Sequence, residues 1–509
     1  MRPPTRHVRW LRPLGSVPAM SLIARERLGP ITDAVESAHA ELLQKDAAKR
    51  MWAGDHTLWQ DDPTEVADRL GWLHVLDEMR AALPQAVELV GERNRGALLG
   101  MGGSSLFPEV LKQTYGGDLA VLDTTDPAAI ARVEIDGRTF VAASKSGTTI
   151  ETTTQLAHFW EATGHTGDAF VAVTDPGTEL AALGHERAFH AVFENRADIG
   201  GRYSALSWFG LVPATMLGVD AMTLLDRAAA VDDDDGVRLA AVIGAAARAG
   251  RDKLTFVLPD AIASFGLWLE QLVAESTGKR GVGIVPIAGE PLGAPDAYGE
   301  DRLFVAVGSH DLDALAAAGH PVVELAFADP YDLGAQVMLW EQAVALSGVV
   351  LGINPFDQPD VQSAKDATSR VLADGLPSIA SVPAGSLLEQ LEPGDYLAIL
   401  AFVDPGNAEL LHQLEQARVC VRDRLRVATT IGIGPRFLHS TGQLHKGGPP
   451  SGVFLQLVGD DDIDIQIPGR DYGFSTLKRA QAAGDLLALQ DRGLRAGRVT
   501  IDTLLEVTR

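Results

Sequence analysis

Apolar residues recur at spacings of three and four over residues 31–49 and 63–83, the pattern of amphipathic helices. Residues 20–92 contain few β-branched runs and are expected to form a helical N-terminal region. From Arg95 the texture changes. Short apolar runs at 97–99, 119–122, 139–143, 169–174 and 189–193 alternate with Gly/Ser/Thr turns and helical stretches, the last of these over 205–222. Unbroken Val/Ala/Leu strands separated by helices predict a parallel sheet covered on both faces. An acidic break, Val231-Asp-Asp-Asp-Asp-Gly236, reads as an interdomain turn. A second unit follows, with strands at 254–258, 283–287, 303–307 and 322–327 and long helices at 260–277 and 332–349. From about residue 380 come strands at 396–403, 427–433 and 453–458 and helices at 407–425 and 474–492. The expected fold is α/β, with two doubly wound parallel-sheet domains of flavodoxin-like type. Its divisions are a disordered leader (1–19), the helical region (20–92), a first domain (93–230), a second (237–380), and a segment (381–509) expected to complete the second sheet.

Charge narrows the partners. The 509 residues carry 43 Lys and Arg against 68 Asp and Glu, a formal charge of −25. Such a chain repels nucleic acid and anionic membranes at long range, so neither is an expected partner. No apolar run reaches the ~18 residues of a membrane span. The leader has Arg2, Arg6, Arg9 and Arg12 but no apolar signal-peptide stretch, and a cytoplasmic location is expected. One cysteine, Cys420, excludes an internal disulfide and reads as a buried structural thiol. No His/Asp/Glu cluster has metal-ligand spacing, so no metal or cofactor is expected.

The chemistry concentrates in loops. Leu98-Leu-Gly-Met-Gly-Gly-Ser-Ser-Leu106 runs from a strand into glycines and serines before a helix, where backbone N–H groups can hold a phosphate. It is neither a dinucleotide fingerprint, which wants a third Gly at Ser105, nor a P-loop. Val141-Ala-Ala-Ser-Lys-Ser-Gly-Thr-Thr-Ile-Glu-Thr152 repeats the style, with Ser144, Ser146, Thr148 and Thr149 around Gly147. One hydroxyl would suffice to cap a helix. Four make a cradle sized for a terminal phosphate, and two such loops suggest a sugar phosphate. In Asp198-Ile-Gly-Gly-Arg-Tyr-Ser204, glycines beside Arg202 would let an oxyanion or enediolate approach its guanidinium; the alternative is a surface turn. In Gln271-Leu-Val-Ala-Glu-Ser-Thr-Gly-Lys279, Gln271 and Glu275 share a helix face. Glu275 is either a general base or a partner of Lys279 four residues on.

These four motifs together resemble the phosphoglucose isomerases, which are built from two sugar-isomerase domains. Gly352-Ile-Asn-Pro-Phe-Asp-Gln-Pro-Asp-Val-Gln-Ser-Ala-Lys365 resembles that family's late signature, and the likeness covers roughly residues 95–370. It is closest to the isomerase half of fused transaldolase–isomerase proteins. The resemblance implies interconversion of glucose 6-phosphate and fructose 6-phosphate through a cis-enediolate. It assigns substrate and phosphate binding to Gly102, Gly103, Ser104, Ser105, Ser144, Lys145, Ser146, Thr148, Thr149 and Gln271. It makes Glu275 the base that moves a proton between C2 and C1, Arg202 the enediolate stabiliser and Lys365 a partner of the ring oxygen. Dual activity on mannose 6-phosphate and a non-catalytic sugar-phosphate sensor are the alternatives.

One motif is out of place. In the family a ring-opening His lies between the Glu and the Lys, in a Leu-His-Ser-x-Gly-Gln context. Here only His310 and His320 lie in that interval, and neither has the context. The matching run is Phe437-Leu-His-Ser-Thr-Gly-Gln-Leu-His-Lys-Gly-Gly448, near the C-terminus. A transposed block, giving the order Glu, Lys, His, would make His439 the ring-opening acid/base, with His445 the alternative. In the family that His reaches the site from a neighbouring subunit, which implies a homodimer.

Overall fold

The computed structural model describes residues 21–506, so the leader read over 1–19 lies outside the described residues. Three sheets organise the described residues. The first is wholly parallel, in the order Asp118–Leu122, Arg95–Gly100, Thr139–Ala143, Phe170–Thr174, Ala191–Glu194. These strands are runs of apolar residues because helices cover both faces. The chain leaves Arg95–Gly100 to one side and returns on the other at Thr139–Ala143. That reversal opens a crevice at the carboxyl ends of two adjacent strands, the place where such sheets bind ligands. Residues 101–105 and 144–149, the two hydroxyl-rich loops, begin there.

The second sheet winds the same way, with Val285–Ile287, Lys253–Val257, Arg302–Val307 and Val322–Leu325 in parallel. Its outer edge corrects the reading of residues 20–92 as helical throughout. Ile23–Arg27 pairs antiparallel with Val322–Leu325. Ile-Ala-Arg-Glu-Arg lacks the alternation that announces a strand. At an edge its charges are useful, and Arg27 donates to Glu324 at 2.6 Å. The acidic run also differs from expectation: it starts the helix Asp233–Arg248, with Asp232 capping Asp234 N–H. Carboxylates in a first helical turn offset its dipole. Asp235, buried, accepts from the Leu22 backbone and the Ser21 hydroxyl. That helix packs on Leu333–Leu351 so closely that a Cβ on Gly244 would lie 2.7 Å from Val350. Leu333–Leu351 is apolar all round and buried, as a central core helix should be.

Residues 381–509, expected to complete the second sheet, form one of their own. Ala428–Ile433, Tyr396–Phe402, Gly452–Val458 and Arg495–Arg498 form a third parallel sheet with the same winding. Short Arg495–Arg498 (Arg-Ala-Gly-Arg) had no apolar run to reveal it. Cys420, expected to be buried, is half-buried on the helix Ala408–Leu425.

A sealed ion pair joins the second and third sheets. Arg302 and Glu290 are both 0% exposed in their side chains and stand 3.0 Å apart. Glu290 also accepts from the Thr429 hydroxyl at 2.8 Å, and the Arg302 guanidinium donates to Thr255 at 2.9 Å. Removing one partner strands the other charge in a dry interior. Glu290→Ala should therefore lower the unfolding free energy by about 3–5 kcal/mol, read as a fall in the urea midpoint.

Candidate active site

Two glycines let three loops meet. Gly102 has φ +56°, and a Cβ there would fall 2.7 Å from the His439 carbonyl oxygen and 2.8 Å from Gln271 Nε2. A Cβ on Gly103 would fall 1.9 Å from the Gly201 carbonyl oxygen. The Gly102–Gly103 turn thus touches the Arg202 and His439 turns, backbone against backbone, and the side chain of Gln271. Their sequence assignment was to phosphate binding alone; close approach is a second reason for glycine at both positions.

On the helix Phe265–Thr277, Gln271 and Glu275 do share one face. Gln271 Nε2 donates to the His439 carbonyl at 2.9 Å and lies 3.4 Å from Glu275 Oε2, while Gln271 Oε1 is buried without a partner in the protein. Glu275 is buried, and its nearest cation is Arg202 at 3.5 Å, not Lys279. Burial pushes the Glu275 carboxyl above the usual carboxylate range, against the opposing pull of Arg202, His439 and Lys279.

Arg202 sits in no surface turn. It is 3% exposed, and its guanidinium donates to the Ser276 hydroxyl at 2.9 Å and to the Pro355 and Asp357 carbonyls at 2.6 and 3.1 Å. Lys279 reaches across to the same segment, donating to Asp357 Oδ1 at 2.7 Å. Burial first, then the nearby Arg202, pushes Lys279 down to about 7, with Asp357 and Glu275 opposing. The late signature is therefore clamped to the Glu275 helix by Arg202 and Lys279.

His439 enters from the third unit, in the turn after Ala428–Ile433. Its Nε2 lies 2.9 Å from Glu151 Oε1. Glu151, on the helix Ile150–Ala162 that follows the hydroxyl loop, is 2% exposed. Burial alone would raise its pKa; the charge and hydrogen bond of His439, the local backbone and the charge of Lys365 together hold it below the usual range. Glu151 belongs to the second hydroxyl-rich motif, and its place in the first turn of the following helix was the available signal. Gln481, which donates to the same carboxylate oxygen at 2.6 Å, had none. Lys365 is exposed on the helix Val361–Asp374, near enough for its charge to act on Glu151.

The hydroxyl loop is internally braced. Ser144 pairs with Thr149 and Ser146 with Thr148, each at 3.0 Å, around Gly147 at φ +72°. Ser105 bonds back to the Gly102 carbonyl at 3.3 Å, and Ser104 stands beside it, buried. Lys145, assigned to the cradle from the sequence, has its ammonium paired with Asp175 and with the Ala197 carbonyl at 2.7 Å. His445 is packed among Tyr396, Phe437 and Phe454, and burial pushes it down to about 3, which removes it as a proton carrier near neutral pH. His310 and His320 bond the Val307 and Pro295 carbonyls, away from these groups.

Comparison with known proteins adds likeness of sequence and fold to the geometry. Residues 95–281 match the sequence profile of the family described as Phosphoglucose isomerase. A glucose-6-phosphate isomerase of Rubrobacter xylanophilus is 27% identical over 412 residues, covering 64% of this chain and 92% of that protein. Two solved structures share the fold. A hypothetical protein of Thermus thermophilus gives a TM-score of 0.58 at 24% identity, over 69% of this chain and all of the other. A glucose-6-phosphate isomerase of Chlamydia trachomatis gives 0.52 at 19% identity, over 67% and 86%. Over residues 95–281 the chain is thus similar in sequence to the phosphoglucose isomerases, and its doubly wound fold matches that of two solved structures.

Proposed function

We propose that the chain interconverts glucose 6-phosphate and fructose 6-phosphate. The observation that carries this reading is the convergence of a buried carboxylate, Glu275, with Arg202 and the His439–Glu151 pair, beside a hydroxyl-rich loop. Ser144, Ser146, Thr148, Thr149 and neighbouring backbone N–H groups hold the phosphate, with Ser104 and Ser105 beside them. His439, fixed by Glu151, exchanges the proton that opens the ring, and Lys365 attends the ring oxygen. Glu275 then takes the C2 proton and returns it at C1. Its raised pKa makes it a stronger base once ionised. Arg202 offsets the charge that develops on the enediolate oxygens, in a site too dry for water to screen it. The orphan acceptor Gln271 Oε1 suits a substrate hydroxyl.

The expected homodimer rested on a histidine supplied by a neighbouring subunit. His439 of the same chain occupies that role in this reading, so one chain contains every group the reaction uses.

A coupled assay with fructose 6-phosphate tests the activity, and absence of turnover by folded protein would reject it. Glu275→Gln should reduce kcat by about 10²–10⁴-fold. Because burial keeps Glu275 protonated to a higher pH, the base form is lost as pH falls through that raised value. The acid limb of kcat should therefore lie above the ordinary carboxylate range near 4.5. His439→Asn should slow turnover of cyclic substrate by roughly 10²-fold while sparing isomerisation of the open-chain form; equal losses would remove His439 from ring opening.

A further inference from the structure

The third unit brings more than a histidine to the site. Gln481, on the helix Phe474–Gln490, is 2% exposed and donates through Nε2 to Glu151 Oε1 at 2.6 Å, the same oxygen that faces His439. The orientation of its amide is fixed from the other end, where Thr125 donates to Gln481 Oε1 at 2.7 Å. The reverse orientation would set an amide oxygen against a carboxylate. One turn earlier on the same helix face, Lys478 holds Asp126 at 2.8 Å, so the helix is pinned to the first unit beside Thr125.

We infer that Gln481 is a positioning residue for ring opening: oriented by Thr125, it keeps Glu151 ionised and in place, so that Glu151 holds His439 in the orientation that exchanges a proton with substrate. Glu151 Oε2 is buried with no hydrogen-bond partner, so the side-chain donors to this carboxylate, His439 and Gln481, both act on Oε1. Hydrogen bonding to a charged form favours it, and losing such a donor raises a carboxyl's pKa. The ionisable groups that face this pair are Lys365, on the helix Val361–Asp374, and Glu275, across His439. Neither replaces the Gln481 bond.

The role of Gln481 in ring opening rests on the isomerase reading; its hold on Glu151 does not, and the experiment separates the two. In ligand-free protein the side-chain carboxyl of Glu151 is titrated by ¹³C NMR, with Glu151→Gln identifying the signal. Gln481→Leu should move the Glu151 midpoint upward by on the order of one pH unit. Thr125→Val, which frees the amide without removing it, should move it less in the same direction. An unmoved midpoint in either folded variant overturns the proposal. In turnover, Gln481→Leu should slow cyclic substrate about tenfold more than open-chain substrate, a difference that loss of folded protein cannot produce. Equal losses overturn the ring-opening role. If the unaltered protein turns over neither sugar phosphate, the isomerase reading and that role fall together, while the titration still decides whether Gln481 governs Glu151.

Discussion

A carboxylate with almost no contact with water stays ionised only where fixed donors take over the work of solvent. Glu151 is such a group, and most of the long-range order of the molecule is needed to supply its surroundings. The helix that carries it belongs to the first unit. The imidazole at 2.9 Å and the amide at 2.6 Å both come from the third, roughly 300 residues later. The Lys365 charge comes from a helix that follows the second sheet. Packing of the units and protonation of one carboxyl are thus one problem. Any slip of the third unit against the first would leave Glu151 buried without donors, a state that burial itself penalises.

The same economy of charge bears on the anion site proposed for the hydroxyl loop. A chain of net charge −25 offers no general attraction to a sugar phosphate. The loop after Thr139–Ala143 answers with paired hydroxyls and a left-handed glycine, and its lysine is paired with Asp175. The cations stand instead around the proposed base, where Arg202 and Lys279 flank Glu275. Crowding two cations near a buried carboxylate has a visible consequence in Lys279, whose ammonium is pushed down to about 7 by burial and by Arg202. Its carboxylate partner, Asp357, keeps this from becoming an uncompensated charge.

Much of this was legible in the residues. Strands of the first sheet announced themselves because burial on both faces demands unbroken apolar runs. The loops did so because glycines and hydroxyls cluster where backbone must meet a ligand. Gln271 and Glu275 could be placed on one face from their spacing alone. What escaped was whatever depends on distant packing. Ile23–Arg27 is a strand because Val322–Leu325 offers it an edge, and Arg495–Arg498 because Gly452–Val458 does. Their own sequences favour neither. Gln481 lies in an alanine-rich helix, where nothing local distinguishes it from any core-facing amide. The third sheet was mistaken for the rest of the second because periodicity reveals strands but not which strands pair.

The position of His439 after Lys365 in the chain follows from how the units touch. Each sheet winds in the same order, and the units meet through packed helices and loops, not through shared strands. The loops at 101–105 and 144–149 leave the carboxyl edge of the first sheet, and the His439 turn leaves the corresponding edge of the third. The second unit offers the far end of its helix Phe265–Thr277, where a Cβ on Gly278 would fall 2.5 Å from Leu444 Cα. Strand pairing would have fixed the order of the segments, since a strand must be fed from its neighbours by connections of limited length. Docked edges impose no such order. They require only that the surfaces match and that each buried charge finds its donors. A histidine delivered last in the chain can therefore stand where Glu151 needs it.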